Sequence, residues 1–314
     1  MNTPGALSSA SQDQQQEWVL GAPVLSTVDR SVPDGVDPAE LALYCTMLGD
    51  DALVLAHRLS EWGMRAGLEE SAALSGIAHD LLGQARVLYG RAAEVRGAED
   101  EEQLAYLREP AEFRNVRLVE VDCGPGPGGD FPTTVARLLL FSTWRLAVFE
   151  ELVTSRDAVL GTLAARSLHL LEQHRDHAAQ WLIKLADSGP GGPRPMSAGL
   201  RQVWPLTAEL FVGHPVEARM ADARCGVDPA SVRVRAGQAL DEVFSIARLD
   251  APAPGAFGEF APPGGRDGAH TESMEFLLAD LQYLVRAGLA SGRTPARPVD
   301  GRGPGSVGNE MQDE

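Results

Sequence analysis

Positive charge is scarce in this chain. Against 44 Asp and Glu there are 27 Lys and Arg, a formal net charge of -17. That balance excludes the clustered Lys and Arg needed to hold a phosphate backbone or an anionic membrane surface. Neither nucleic acid nor membrane is an expected partner. Cysteine is also thin: Cys45, Cys123 and Cys225 are odd in number, far apart and without paired ligand spacing. This speaks against a disulfide framework or a zinc site and fits a cytoplasmic protein. Residues 1–36 lack a basic start followed by an apolar run, so they resemble neither a signal peptide nor a membrane anchor. Rich in Ser, Gln, Gly and Pro, they are expected to form a disordered tail. There is no Walker loop, no dinucleotide glycine fingerprint and no Ser, His and Asp arrangement. Strand signals and short-period repeats are nearly absent too, which leaves an all-α fold.

What the chain has is helical periodicity, and 44% hydrophobic residues to build a core. One domain is expected over 37–290, with a second disordered tail over 291–314. The first helix starts at Asp37, where Asp37, Pro38 and Glu40 supply a cap, a first-turn proline and an early negative charge, and it stops near Gly67. A second spans about Glu70 to Arg96. A long connection with a short helix near Glu102 to Arg108 then leads to helices over about Asp130–Ser155 and Asp157–Asp187. Almost no loop joins that last pair, so the two must be antiparallel neighbours. Additional C-terminal helices are expected over Met196–Phe211, with a kink or end at Trp204–Pro205, over Pro229–Arg248 and over Glu272–Ala290. A Pro- and Gly-rich connector covers Ala251 to Gly268.

The apolar stripes of the four long helices are each interrupted by polar residues at similar depth. In the fourth, Leu160, Leu163, Ser167, Leu171, His174, Ala178, Trp181 and Leu185 recur at helical spacing, so His174 points inward. The second gives Leu74, Ile77, Leu81, Gln84 and Leu88; the third gives Val135, Leu138, Ser142, Leu146, Phe149 and Val153. The first gives Tyr44, Leu48, Asp51, Leu55 and Trp62. Four such helices describe a ferritin-like four-helix bundle, whose dimetal form needs Glu on two helices and Glu-x-x-His on the other two. No Glu-x-x-His occurs in the sequence. The two positions that should carry it read Leu81 with Gln84, and Leu171 with His174.

Two irons in a low-dielectric core need several carboxylates to offset their charge. This interior offers Asp51, with Asp50 and Asp80 nearby, and one imidazole. Asp51, Asp80, Gln84, Ser142 and His174 therefore read either as a buried hydrogen-bond network or as a non-standard site for a single metal. Three further motifs have simpler readings. Gly49-Asp50-Asp51 lacks the second aspartate three residues on that a magnesium diphosphate site repeats, since position 54 is Val54. His177 lies off the stripe beside Arg175 and Asp176, so it reads as solvated or at an interface rather than as a metal partner of His174. Asp267-x-x-His270 precedes the last helix, where Thr271 as cap with Glu272 and Glu275 accounts for the segment.

Five separated stretches carry a family resemblance: GDDALVLAHRLSEWG from Gly49, IAHDLLGQAR from Ile77, EFRN from Glu112, WPLTAELF from Trp204 and GRDGAHTE from Gly265. From about Asp37 to Arg286 the chain resembles the C-subunit family of the phenylacetyl-CoA ring epoxidase. The resemblance implies a ferritin-like subunit without iron ligands, paired with a related subunit that holds the di-iron centre and the CoA thioester. It further implies other oxygenase subunits and a reductase that supplies electrons from NADPH, the whole acting in phenylacetate catabolism. No catalytic, cofactor-binding or metal-binding residue carries over to this chain, and Ser142 stands where relatives would have Asp. The expected role is a structural subunit of a monooxygenase; the alternative is an independent ferritin-like metalloenzyme with a single-metal site.

Overall fold

Asp37 opens the first helix, α1 (Pro38–Ser60), by accepting a hydrogen bond from the Ala39 amide at 2.8 Å. This satisfies one of the orphan donors of the first turn. The computed structural model describes residues 27–64, 68–97, 100–124, 130–187, 194–249 and 260–291. Helix α2 covers Leu68–Arg96 and the short α3 covers Glu101–Tyr106, closed by a reciprocal Asp100–Gln103 capping box. Asp130 and Asp157 cap the next two long helices, α4 (Phe131–Leu152) and α5 (Ala158–Ala186), through the Thr133 and Leu160 amides.

These four long helices form the ferritin-like bundle. Leu48, Leu55, Leu81, Leu88, Leu138, Phe149, Leu160 and Leu171 all lie in its core. Helices α2 and α5 run antiparallel, because Asp80 meets His174 while Arg91, further along α2, meets Asp157 at the start of α5. Helix α4 is buried almost all round, the mark of a central helix. Val153 is an exception to its expected stripe; it falls just past the helix end and is exposed.

The connection from α3 to α4 is no free loop. Phe113, Val116, Leu118 and Val119 are buried around two single 3₁₀ turns, Pro110–Glu112 and Arg117–Glu120. Beyond the bundle come α6 (Arg194–Val203) and a 3₁₀ segment, Trp204–Phe211, which begins where Pro205 ends regular helix as expected. Helix α7 (Pro215–Asp222) falls in a stretch where the sequence predicts no element; it is followed by α8 (Arg233–Ala247) and α9 (Ser273–Ala290). The described residues contain no strand. None of their helices is long and apolar enough to cross a membrane.

Two expectations need correction. Part of the segment read as an N-terminal tail, residues 27–36, belongs to the folded body: the Arg30 and Ser31 carbonyls accept bonds from Arg91 and Val36 joins the core. Residues 1–26 and 292–314 lie outside the described residues. Thr271 does not cap α9, since its hydroxyl and amide both donate to Glu120, each at 2.7 Å.

Candidate functional site

Asp51 is fully buried on α1, and both of its carboxylate oxygens accept hydrogen bonds from neighbours. Its Oδ1 accepts from the Val116 amide at 2.9 Å and from Arg266 Nη1 at 3.0 Å, and its Oδ2 accepts from Arg266 Nη2 at 2.8 Å. Arg145 Nη1 lies 3.8 Å from Oδ2 on the other side. Arg145, from α4, also reaches Gln84 of α2, donating from Nη2 and Nε to Oε1 at 3.1 and 3.3 Å, and donates to the Leu48 carbonyl at 3.1 Å. Its guanidinium packs on the Phe149 ring, 4.4 Å from the centroid. Burial pushes the Arg145 pKa down to about 10 against the opposing pull of Asp51, so the group stays charged at neutral pH. A fixed organic cation thus stands between the first and second helices, where the carboxylates of a metal protein would converge.

The five sequence candidates do not form one network. Asp51 and Gln84 share Arg145, whereas His174 Nε2 pairs with Asp80 Oδ2 at 3.0 Å one helical turn earlier on α2. Ser142 is buried one turn before Arg145 on α4. His177 is half-buried with its pKa lowered, first by burial and then by His174. Among the described residues, no group of three or more His, Cys, Asp or Glu is placed to hold a metal ion. The donor set does not fit a di-iron centre: Asp51 is committed to arginines, Leu81 and Leu171 offer nothing, and Gln84 already accepts from Arg145.

Beyond Asp50, already named beside Asp51, the sequence reading missed a second layer of buried acids that hold the chain together: Glu120, Glu209 and Glu217. Asp50 accepts from Tyr89 Oη at 2.6 Å, from the Arg114 amide at 2.7 Å and from both terminal nitrogens of Arg108. Glu120 takes Asn115 Nδ2 at 2.9 Å and His270 Nδ1 at 2.5 Å besides Thr271. Glu209 takes the Gly265 amide at 2.7 Å and the Arg117 amide at 3.0 Å. Glu217, its pKa raised by burial, lies 3.4 Å from Arg266 Nε. Gly265 is required here, for a Cβ would stand 1.9 Å from the Asn115 carbonyl oxygen. Asp267 is not a metal partner of His270; it accepts from the Gly264 amide at 2.9 Å, while His270 faces Glu120 and the Phe113 carbonyl.

Four of the five stretches singled out in the sequence therefore meet in space: Asp50 and Asp51, Glu112 to Asn115, Glu209 from the 204–211 segment, and Gly265 to Thr271. The fifth contributes Gln84 and Asp80. A family model described as "Phenylacetic acid catabolic protein" matches residues 28–290, nearly the span of the folded body. The chain is also 34% identical over 248 residues to the C subunit of the 1,2-phenylacetyl-CoA epoxidase of Escherichia coli (strain K12), covering 79% of this chain and 96% of that protein. By its length of match, its bundle and the convergence of its motifs, the chain belongs to the phenylacetic acid catabolic protein family.

Proposed function

We propose that this chain is a non-catalytic, cytoplasmic subunit of a phenylacetyl-CoA epoxidase, folding against and steadying a related di-iron subunit in phenylacetate catabolism. The observation that carries this reading is the double commitment of Asp51 to Arg266 and Arg145, with Gln84 tied to the same Arg145. A guanidinium held that way supplies the positive charge a bundle of this kind would otherwise take from metal. Iron then belongs on the partner, and electrons reach it from NADPH through a reductase. Broad helical faces that pack ridge into groove within one bundle can pack the same way between two, over an area typical of stable complexes.

A second reading rests on the Asp80–His174 pair, among the described residues the one place where an imidazole and a carboxylate stand together on facing bundle helices. They would be two ligands of a single-metal enzyme. Co-expression with the catalytic subunit, native mass measurement and metal analysis of each chain separate the readings. The proposal expects a stable heteromer with iron on the other subunit alone. Stoichiometric metal on this chain, lost with activity in His174→Leu, would support the rival. For a structural histidine the same change costs only about 1–3 kcal/mol of stability.

A further inference from the structure

We propose that one ordered water is bound inside the bundle between the amide nitrogen of Gln84 and the hydroxyl of Ser167. Both side chains are fully enclosed, at 1% and 0% exposure. Arg145 donates twice to Gln84, which fixes the acceptor oxygen on that side and turns both N–H groups of Nε2 away. Gln84 Nε2 and Ser167 Oγ find no hydrogen-bond partner among the described residues. Buried polar groups are almost always satisfied, by protein or by water.

The two groups face the same level of the bundle. Asp80 to His174 and Arg91 to Asp157 fix the antiparallel register of α2 and α5, and Gln84 falls between Asp80 and Arg91 just as Ser167 falls between His174 and Asp157. Gln84 also shares the helix face of Asp80 and Arg91, and Ser167 that of His174, at multiples of three to four residues. The neighbouring side chains are small: Ala85 on α2, Ala164 on α5 and Ser142 on α4 are all buried, in a fold whose metal-binding form fills this layer with Glu and His.

The chemistry selects the occupant. The free groups are an amide donor and a hydroxyl, beside the Arg145 cation, so a metal cation is repelled. The buried carboxylates of Asp51 and Glu217 lie against the two guanidinium groups of Arg145 and Arg266, so no anion is required. A small neutral molecule that both accepts and donates fits, and water is that molecule. The inference rests on the reading of this interior as a metal-free polar layer.

A crystal structure of the chain in complex with its catalytic partner, at a resolution that shows buried waters, is the test. Expected is one isolated peak within hydrogen-bonding distance of Gln84 Nε2 and Ser167 Oγ, without anomalous signal. Direct contact between the two side chains, or no density between them, overturns the water and leaves the structural-subunit reading standing. An anomalous metal peak overturns both. A double-mutant cycle reads the same bridge in solution: the loss in denaturation midpoint for Gln84→Leu with Ser167→Ala should be smaller than the sum of the single losses, because either change alone removes the bridge. Additive losses count against the proposal.

Discussion

At the scale of residues, two buried arginines should respond oppositely to the same substitution. Arg266 reaches Asp51, Glu217 and the Met47 and Arg114 carbonyls; burial alone would lower its pKa, but the Asp51 and Glu217 carboxylates raise it. Arg266→Met strands two buried carboxylates, so a loss of about 3–5 kcal/mol in denaturant unfolding is expected. Arg137 is as deeply buried but among the described residues makes one bond, Nη1 to the Val121 carbonyl, while Nε and Nη2 find no partner there. Burial lowers its pKa and little offsets the cost of enclosing the charge. Arg137→Met should therefore be neutral, or stabilising by about 1–4 kcal/mol, in the same unfolding measurement. A large loss there would show that Arg137 has a partner outside this chain.

At the scale of elements, α7 carries a pH response. Its cap is His214, whose Nδ1 accepts from the Val216 amide at 3.2 Å, a bond only the unprotonated nitrogen can make. Burial lowers the His214 pKa below its ordinary 6.5, with Asp267 pulling the other way. The folded state therefore binds this proton less readily than the unfolded chain, so the contribution is present above pH 6.5 and is lost as pH falls through the lowered value. His57 and His177, also lowered chiefly by burial, add a background of the same sign. His214→Asn keeps a cap without titrating, so Tm followed from pH about 7.5 to about 5.5 should fall less steeply than in the natural chain. Equal slopes would sink the assignment. Such a cap is hard to read from sequence, because histidine is no usual cap and eight residues of helix give little periodicity. The four long helices are legible, since Asp37, Asp130 and Asp157 are strong caps and the stripes run for six turns or more. The burial of Asp51, Gln84 and His174 is legible in those stripes too. Arg145 is not: on a helix buried all round, the stripe that picks out Ser142 and Leu146 gives no reason to place an arginine inside.

At the scale of the whole molecule, the first helix is completed by the end of the chain. Asp51 and Arg266 are 215 residues apart in sequence, Arg58 and the Ser273 carbonyl likewise, and Glu120 and Thr271 are 151 apart. No periodicity can reveal such pairings, which is why the sequence shows inward acids but not what neutralises them. The same separation makes the bundle depend on a segment outside it. Without residues 260–291, Asp51 and Glu217 lose Arg266, Glu120 loses His270 and Thr271, and Glu209 loses the Gly265 amide, leaving four buried carboxylates short of donors in one body. The apolar cost is smaller, for α9 buries only Met274, Leu277 and Leu278. Charge desolvation rather than lost packing should then decide the outcome. A chain truncated before residue 260 is expected to be insoluble or to lack a cooperative unfolding transition, even beside the catalytic subunit. Replacing Asp51 by Asn, Glu120 by Gln and Glu209 by Gln in that truncated chain should restore part of the transition. If the triple replacement restores nothing, the C-terminal segment stabilises the bundle by apolar contact and the charge argument fails.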